Sequence, residues 1–278
     1  MTKAVMTIHG FLTDVADFGD LYDSLTDYDC VYKCKIPGHN GKVNFNEFNV
    51  DDTLATVRTD YDTLREKYDQ VDVIGFSMGG ALTSYLCSIR DVHRAVLCAP
   101  SNKYLNFRSL FSMLAFYFKT YNEKYQNSKG DIAKRMRDAN DYLKPYRNNS
   151  MLSLRIGIRR ILPNINPHTY GVFRELMKRS NEALEQRQSI DVPAMIVWGK
   201  LDELVPQASV NYVGDFFTYH TMELYDDVGH ALFLTNNSPR LIRDIVEYLN
   251  MSEKDVRMPQ ETVSYTHLRA HETGRNLV

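Results

Sequence analysis

A chain of 278 residues that is 44% hydrophobic, 12% aromatic and 24% charged, with 14 glycines and 9 prolines, is neither collagen-like nor low-complexity nor disordered. At this length a folded chain buries roughly three quarters of its extended surface, enough for a sizeable core in one or two domains. The 33 basic residues against 35 acidic ones give no global electrostatic reason for a nucleic-acid partner, and four cysteines are too few for a disulfide scaffold.

The first apolar run, residues 4–8, predicts a strand that ends at His9-Gly10. It is shorter than a secretory h-region and lacks a cleavage site, and no stretch reaches the roughly 18 apolar residues of a membrane span. A cytoplasmic protein without a membrane span is expected. A second strand follows over residues 31–36. Cys30-x-x-x-Cys34 with His39 matches no familiar zinc spacing, so these cysteines, like Cys87 and Cys98, read as reduced thiols in apolar surroundings, and no metal is expected. Leu54, Val57, Tyr61, Leu64 and Tyr68 recur at three- and four-residue steps, which predicts a helix over roughly 51–68. A third strand over 71–74 leads into a helix carrying Ala81, Leu82, Tyr85, Leu86 and Ile89, and a fourth strand covers 94–99.

From about Ser101 to Ser189 the alternation stops. Helical segments with turns at Pro145 and Pro163-Asn164 predict a helical insertion after the fourth strand. Residues 129–187 hold 13 Lys and Arg against 6 Asp and Glu. A solvated helical face accounts for this most simply; attraction to acidic substrates or anionic headgroups is the alternative. The aromatic run of Tyr104, Phe107, Phe111, Phe116, Tyr117, Phe118, Tyr121 and Tyr125 suits helix packing or a lid over an apolar pocket, with Phe107 and Phe111 as candidate lining residues. Strands over 194–198 and 221–225 and a closing helix with Leu241, Ile242, Ile245, Val246 and Leu249 complete the pattern. The expected class is α/β, a mostly parallel sheet of about six strands flanked by helices. Its core comprises residues 1–100 and 190–252, its cap 101–189. Residues 253–278 are expected to be a non-native or disordered tail, because the stretch from Val263 to Thr273 resembles translated adapter read-through; a pair of metal ligands at His267 and His271 is the weaker reading.

The sharpest local signal is Gly75-Phe76-Ser77-Met78-Gly79, set between a strand and a helix. Such a turn strains the serine backbone and crowds the positions two residues to either side, so both must be nearly free of side chain. The following helix aims its first amides at the Ser77 hydroxyl, favouring negative charge on a reacting oxygen. A serine hydroxyl needs a base, normally a histidine oriented by a carboxylate. Asp202, in Trp198-Gly199-Lys200-Leu201-Asp202, and His230, in Gly229-His230, both fall in loops after strands, with Glu203, Asp226 and Asp227 as rival carboxylates. At the end of the first strand, His9-Gly10-Phe11 lets the Phe11 amide join that of Met78 in binding an oxyanion. His9 reads as structural. His39 and Val205 are candidates for the rim and lining of the pocket.

With His9-Gly10-Phe11, Pro37-Gly38-His39, Gly75-Phe76-Ser77-Met78-Gly79-Gly80, Gly199-Lys200-Leu201-Asp202, Val205-Pro206 and Gly229-His230, the chain from Val5 to about Leu249 resembles the α/β-hydrolase superfamily. Within it, the chain is similar to small bacterial carboxylesterases and monoacylglycerol lipases with a helical cap. The resemblance implies Ser77 as nucleophile, His230 as general base, Asp202 as its orienting acid and the Phe11 and Met78 amides as the oxyanion hole. It implies hydrolysis of short- to medium-chain esters or monoacylglycerols without metal or organic cofactor, the partner being a small-molecule ester; monomer and homodimer are both open. A peptidase or C–C bond hydrolase of the same fold, or a non-catalytic ligand-binding protein, is the alternative. Asn40 stands where related enzymes often have glycine, and, with the sheet beginning at the strand that leads to His9, a minimal six-stranded core without the first two strands of larger members is expected.

Overall fold

The computed structural model describes residues 1–39, 44–103, 164–202, 204–235, 237–257 and 263–265. Among the described residues seven strands form one parallel sheet: β1 (Lys3–Ile8), β2 (Cys30–Lys33), β3 (Gln70–Phe76), β4 (Ala95–Cys98), β5 (Ala194–Gly199), β6 (His220–Tyr225) and β7 (Val263–Tyr265). Their order is β2-β1-β3-β4-β5-β6-β7. All of β4 and β5 is buried, and β1 and β3 are buried after their first residue. Strands covered on both faces are mostly apolar, which is why they read as near-continuous runs in the sequence; the buried Asp72 of β3 is the charged exception, accepting from Tyr28 and His93. β2, near the sheet edge, is half-buried and ends at the exposed Lys33. The register sets Ile8 opposite Gly75 and Phe76 opposite Cys98, so β1, β3 and β4 end at one level. Because β2 and β3 lie on opposite sides of β1, the loops leaving β1 and β3 part at a topological switch point, the place at the carboxyl ends of the strands where open α/β sheets bind ligands.

The helices among the described residues are α1 (Leu21–Ser24), α2 (Val50–Arg65), α3 (Met78–Ile89), α4 (Pro167–Glu185), α5 (Gln207–Gly214), α6 (Ser238–Asn250) and α7 (Glu253–Val256). Asn49 caps α2 by accepting from the Asp52 amide, and Leu54, Val57, Tyr61 and Leu64 form its buried stripe. The helix stops at Arg65, short of the expected end, and Tyr68 donates its amide to the Leu64 carbonyl in the closing turn. α3 is buried along nearly its whole length because it lies between the sheet and α4. Leu241, Ile242, Ile245, Tyr248 and Leu249 face inward from α6; each aliphatic side chain so buried contributes roughly 1.5–3 kcal/mol.

Part of the segment expected as an insertion is described. Within it α4 starts on a reciprocal cap, Asn166 with Thr169, followed by Pro167, and turns Phe173, Leu176, Met177 and Leu184 toward the core. Phe107 and Phe111 lie outside the described residues. The tail expected from residue 253 contains two described elements. α7 is held where Glu253 Oε1 meets Arg94 Nη2 at 2.8 Å, and β7 pairs with β6 in the register Glu223 to Val263, a seventh strand beside the six expected. Three residues carry no periodicity, so nothing in the sequence pattern marks β7 as a strand. Among the described residues no helix is long and apolar enough to cross a membrane.

Candidate active site

Ser77 sits between the end of β3 and the start of α3 with φ +56° and ψ −114°, a left-handed conformation that costs a non-glycine residue energy and persists only where surroundings enforce it. They do so here. The Ser77 amide donates to the Cys98 carbonyl at 2.8 Å, and its own carbonyl accepts from the amides of Ala81 and Ser101, each at 3.2 Å. The turn also requires glycine at 79: a Cβ there would fall 1.9 Å from the carbonyl oxygen of Ile8. This close approach of α3 to the end of β1 brings the loop after β1 beside the serine.

His230 lies between β6 and a short 3-10 helix, Leu232–Leu234, and its ring rests against Phe76 with centroids 5.1 Å apart. Its Nε2 is 3.1 Å from Ser77 Oγ and its Nδ1 2.8 Å from Asp202 Oδ2. A carboxylate oxygen accepts, so Nδ1 donates and Nε2 is left with a lone pair toward the serine hydroxyl, which donates to it. The other carboxylate oxygen, Asp202 Oδ1, accepts from the amides of Leu204 and Val205, both at 2.9 Å. With four lone-pair sites on a buried carboxylate, these backbone donors fix its plane and direct Oδ2 at the imidazole. Val205 is itself fully buried, its carbonyl accepting from Trp198 Nε1 at 2.9 Å. It stands in the frame of the Asp202 loop.

The rival carboxylates have other partners. Asp226 is paired with Lys200, and Asp227 accepts from Asn237 Nδ2 at 2.9 Å; Glu203 lies outside the described residues. Among the described residues no group of three or more His, Cys, Asp or Glu side chains is arranged to hold a metal ion. All four cysteines are free, and burial raises the thiols of Cys34, Cys87 and Cys98.

Phe11 follows β1, and its ring meets Phe173 of α4 at 4.8 Å between centroids. Met78 opens α3, so its amide is one of those a helix leaves without an internal partner. The two histidines near Phe11 are buried. His9 Nδ1 donates to the Gly10 carbonyl at 2.9 Å. His39 Nδ1 donates to the Pro37 carbonyl at 3.1 Å, while its Nε2 accepts from the Leu12 amide at 3.2 Å. Burial pushes His9 down to about 4; burial, with the neighbouring His9, pushes His39 down to about 3. Both rings are therefore neutral near pH 7. His39, expected at the pocket rim, lies beneath the loop that follows β1, with both ring nitrogens on backbone groups. Sequence reasoning singled out neither this contact nor Thr13, whose hydroxyl donates to the Gly10 carbonyl at 3.0 Å; the adjacency of Thr13 to His9-Gly10-Phe11 was the available signal.

The family model for the alpha/beta hydrolase fold matches residues 19–237. Among solved structures, the chain is similar to one from the work on LipS and LipT, two metagenome-derived lipolytic enzymes, with a TM-score of 0.61 and 15% identity over 89% of this chain and 93% of that one. It is similar to the Paleococcus ferrophilus monoacylglycerol lipase, with a TM-score of 0.61 and 16% identity over 88% of this chain and 93% of that one. It is also similar to the meta-cleavage product hydrolase CumD of Pseudomonas fluorescens IP01, with a TM-score of 0.57 and 17% identity over 89% and 90%. No curated protein matches it in sequence. Likeness at these identities concerns the fold, and together with the family match it has one reading: the chain belongs to the alpha/beta hydrolase fold family.

Proposed function

We propose that the protein is a serine hydrolase that cleaves carboxylic esters through an acyl-enzyme intermediate, with Ser77 as nucleophile, His230 as general base and acid, and Asp202 as its orienting carboxylate. The observation that supports this most is the continuous chain from Ser77 Oγ through both ring nitrogens of His230 to Asp202. As Ser77 Oγ bonds to the ester carbonyl carbon, its proton passes to Nε2, and Asp202 stabilises the resulting imidazolium. The carbonyl π electrons move onto oxygen, where the Phe11 and Met78 amides receive the charge. Collapse expels the alcohol, which takes the proton from Nε2. Water then gives its proton to the same nitrogen, adds to the acyl carbon and releases the acid, returning the proton to Ser77.

The substrate class we propose is short- to medium-chain acyl esters or monoacylglycerols. Phe173, from the segment read as the cap, lies against Phe11 and supports an apolar boundary beside the oxyanion loop. Four free thiols suit a reducing compartment, and the cytoplasm is the proposed location.

A panel of p-nitrophenyl esters graded by acyl length tests the proposal. The expected result is turnover that peaks at short to medium length and disappears in a folded Ser77→Ala variant. Undiminished turnover in Ser77→Ala would overturn it, as would cleavage of amides or C–C bonds with none of esters.

A further inference from the structure

The peptide that joins Gly10 to Phe11 is gripped by its carbonyl end. That oxygen accepts from His9 Nδ1 at 2.9 Å and from Thr13 Oγ1 at 3.0 Å. In a planar trans peptide the C=O and N–H bonds point in opposite directions, so two donors on the carbonyl settle where the Phe11 N–H aims. They also draw electron density toward the oxygen and make the amide a stronger donor.

The next peptide is held as well. Leu12 takes φ +54°, which an L residue does not keep unaided, and its amide donates to His39 Nε2 at 3.2 Å. The Pro37 carbonyl fixes the acceptor tautomer by occupying Nδ1 of the same ring. The His9 and His39 rings lie against each other with centroids 5.3 Å apart, and His39 also packs edge-on to Phe48 at 4.5 Å. The loop after β1 is thus clamped on one side through Gly10 and on the other through Leu12, with the Phe11 amide between.

We infer that Thr13 and His39 are positioning residues for the reaction: Thr13 orients the Phe11 amide through the Gly10 carbonyl, and His39 holds the left-handed Leu12 that follows it. The inference rests on the reading of the Phe11 amide as an oxyanion donor.

Thr13→Val keeps the shape of the side chain and removes its hydroxyl; Thr13→Ser restores the hydroxyl. At His39, Gln can place an acceptor where Nε2 stood, whereas Ala cannot. Each is compared with the unaltered protein by kcat and KM on a p-nitrophenyl ester and by melting temperature. Loss of an oxyanion donor costs about 10²- to 10³-fold in rate, so a donor turned aside is expected to cost about tenfold. The expected pattern is a roughly tenfold fall in kcat with KM nearly unchanged in Thr13→Val and His39→Ala, and substantial recovery in Thr13→Ser and His39→Gln. Unchanged kcat in Thr13→Val, or an equal fall in Thr13→Ser, would overturn the inference while ester turnover by the unaltered protein upholds the proposed function. If that protein turns over no ester, the proposed function falls and this inference with it.

Discussion

Gly199 and Val228 are packed so closely that a Cβ on Gly199 would lie 2.1 Å from the Val228 carbonyl oxygen. The contact joins the end of β5, three residues before Asp202, to the loop two residues before His230. The absence of a side chain at 199 therefore sets the distance between the carboxylate and the imidazole. Gly199→Ala is expected to force the two loops apart, to cost about 1–3 kcal/mol in stability and to lower kcat by at least tenfold. Gly171, exposed in α4 with nothing within 4 Å of its added Cβ, is the control. Gly171→Ala is expected to raise stability by about 0.5–1 kcal/mol and leave kcat unchanged. Urea unfolding with steady-state kinetics on both variants checks the pair.

Asp202→Asn should retain the fold, because an amide oxygen can go on accepting from Leu204 and Val205. Its NH₂ would then face His230 Nδ1 and favour the tautomer whose Nε2 carries the proton, so that the serine loses its base. In serine proteases the corresponding change costs about 10⁴-fold in kcat, and a loss of that order is expected here, with melting temperature within a few degrees of the unaltered protein.

Acid should weaken the fold before its carboxylates titrate. His9 and His39 have ordinary values of 6.5 and are depressed to about 4 and about 3. Below pH 6.5 the unfolded chain binds protons that the folded chain does not. The stability contributed by the two neutral rings is present above pH 6.5 and declines as pH falls toward 4 and 3, at about 1.4 kcal/mol per pH unit for each ring. Asp62, held below its ordinary value by the Arg90 hydrogen bond, acts in the same direction only at lower pH. Urea midpoints between pH 7 and pH 5 should therefore drop less steeply in His39→Gln than in the unaltered protein. Parallel lines would show that His39 is not the group involved.

The far end of the sheet is tied to the last helices through Arg94. Its buried guanidinium donates to the carbonyls of Tyr248 at 3.2 Å and Leu249 at 2.7 Å, capping α6, and to Glu253 at 2.8 Å. His93 Nε2 meets the same Glu253 oxygen at 2.9 Å. A chain ending at Arg257 keeps these contacts, loses among the described residues only the three-residue pairing of β7 with β6, and is expected to melt closer to the full chain than one ending at Asn250. One ending at Asn250 leaves Arg94 without its carboxylate, an expected loss of about 1–3 kcal/mol or several degrees in melting temperature. Calorimetry on the two truncations separates the cases.

The sheet was legible because β1, β3, β4 and β5 are buried on both faces and therefore apolar nearly throughout, with Thr7 and Asp72 as the buried polar exceptions. Boundaries were less so: β2 ends at Lys33 although buried apolar residues recur at Cys34 and Ile36, since only the Cys34 amide still reaches the Thr7 carbonyl. Ser77, Asp202 and His230 could be named because each sits in a short local pattern at a strand end. The clamp on Gly10 could not, because it depends on where one backbone carbonyl points, and neither a threonine in a loop nor a buried histidine announces its partner. For β7 the same limit applies, three residues being too few for any pattern.

The central claim is that His230 activates Ser77. Labelling with a fluorophosphonate, followed by peptide mapping of the adduct, tests it most directly. One adduct is expected, on Ser77, absent in Ser77→Ala and formed at least a hundredfold more slowly in His230→Gln. An adduct elsewhere, or one formed on Ser77 as fast without the imidazole as with it, would contradict the account.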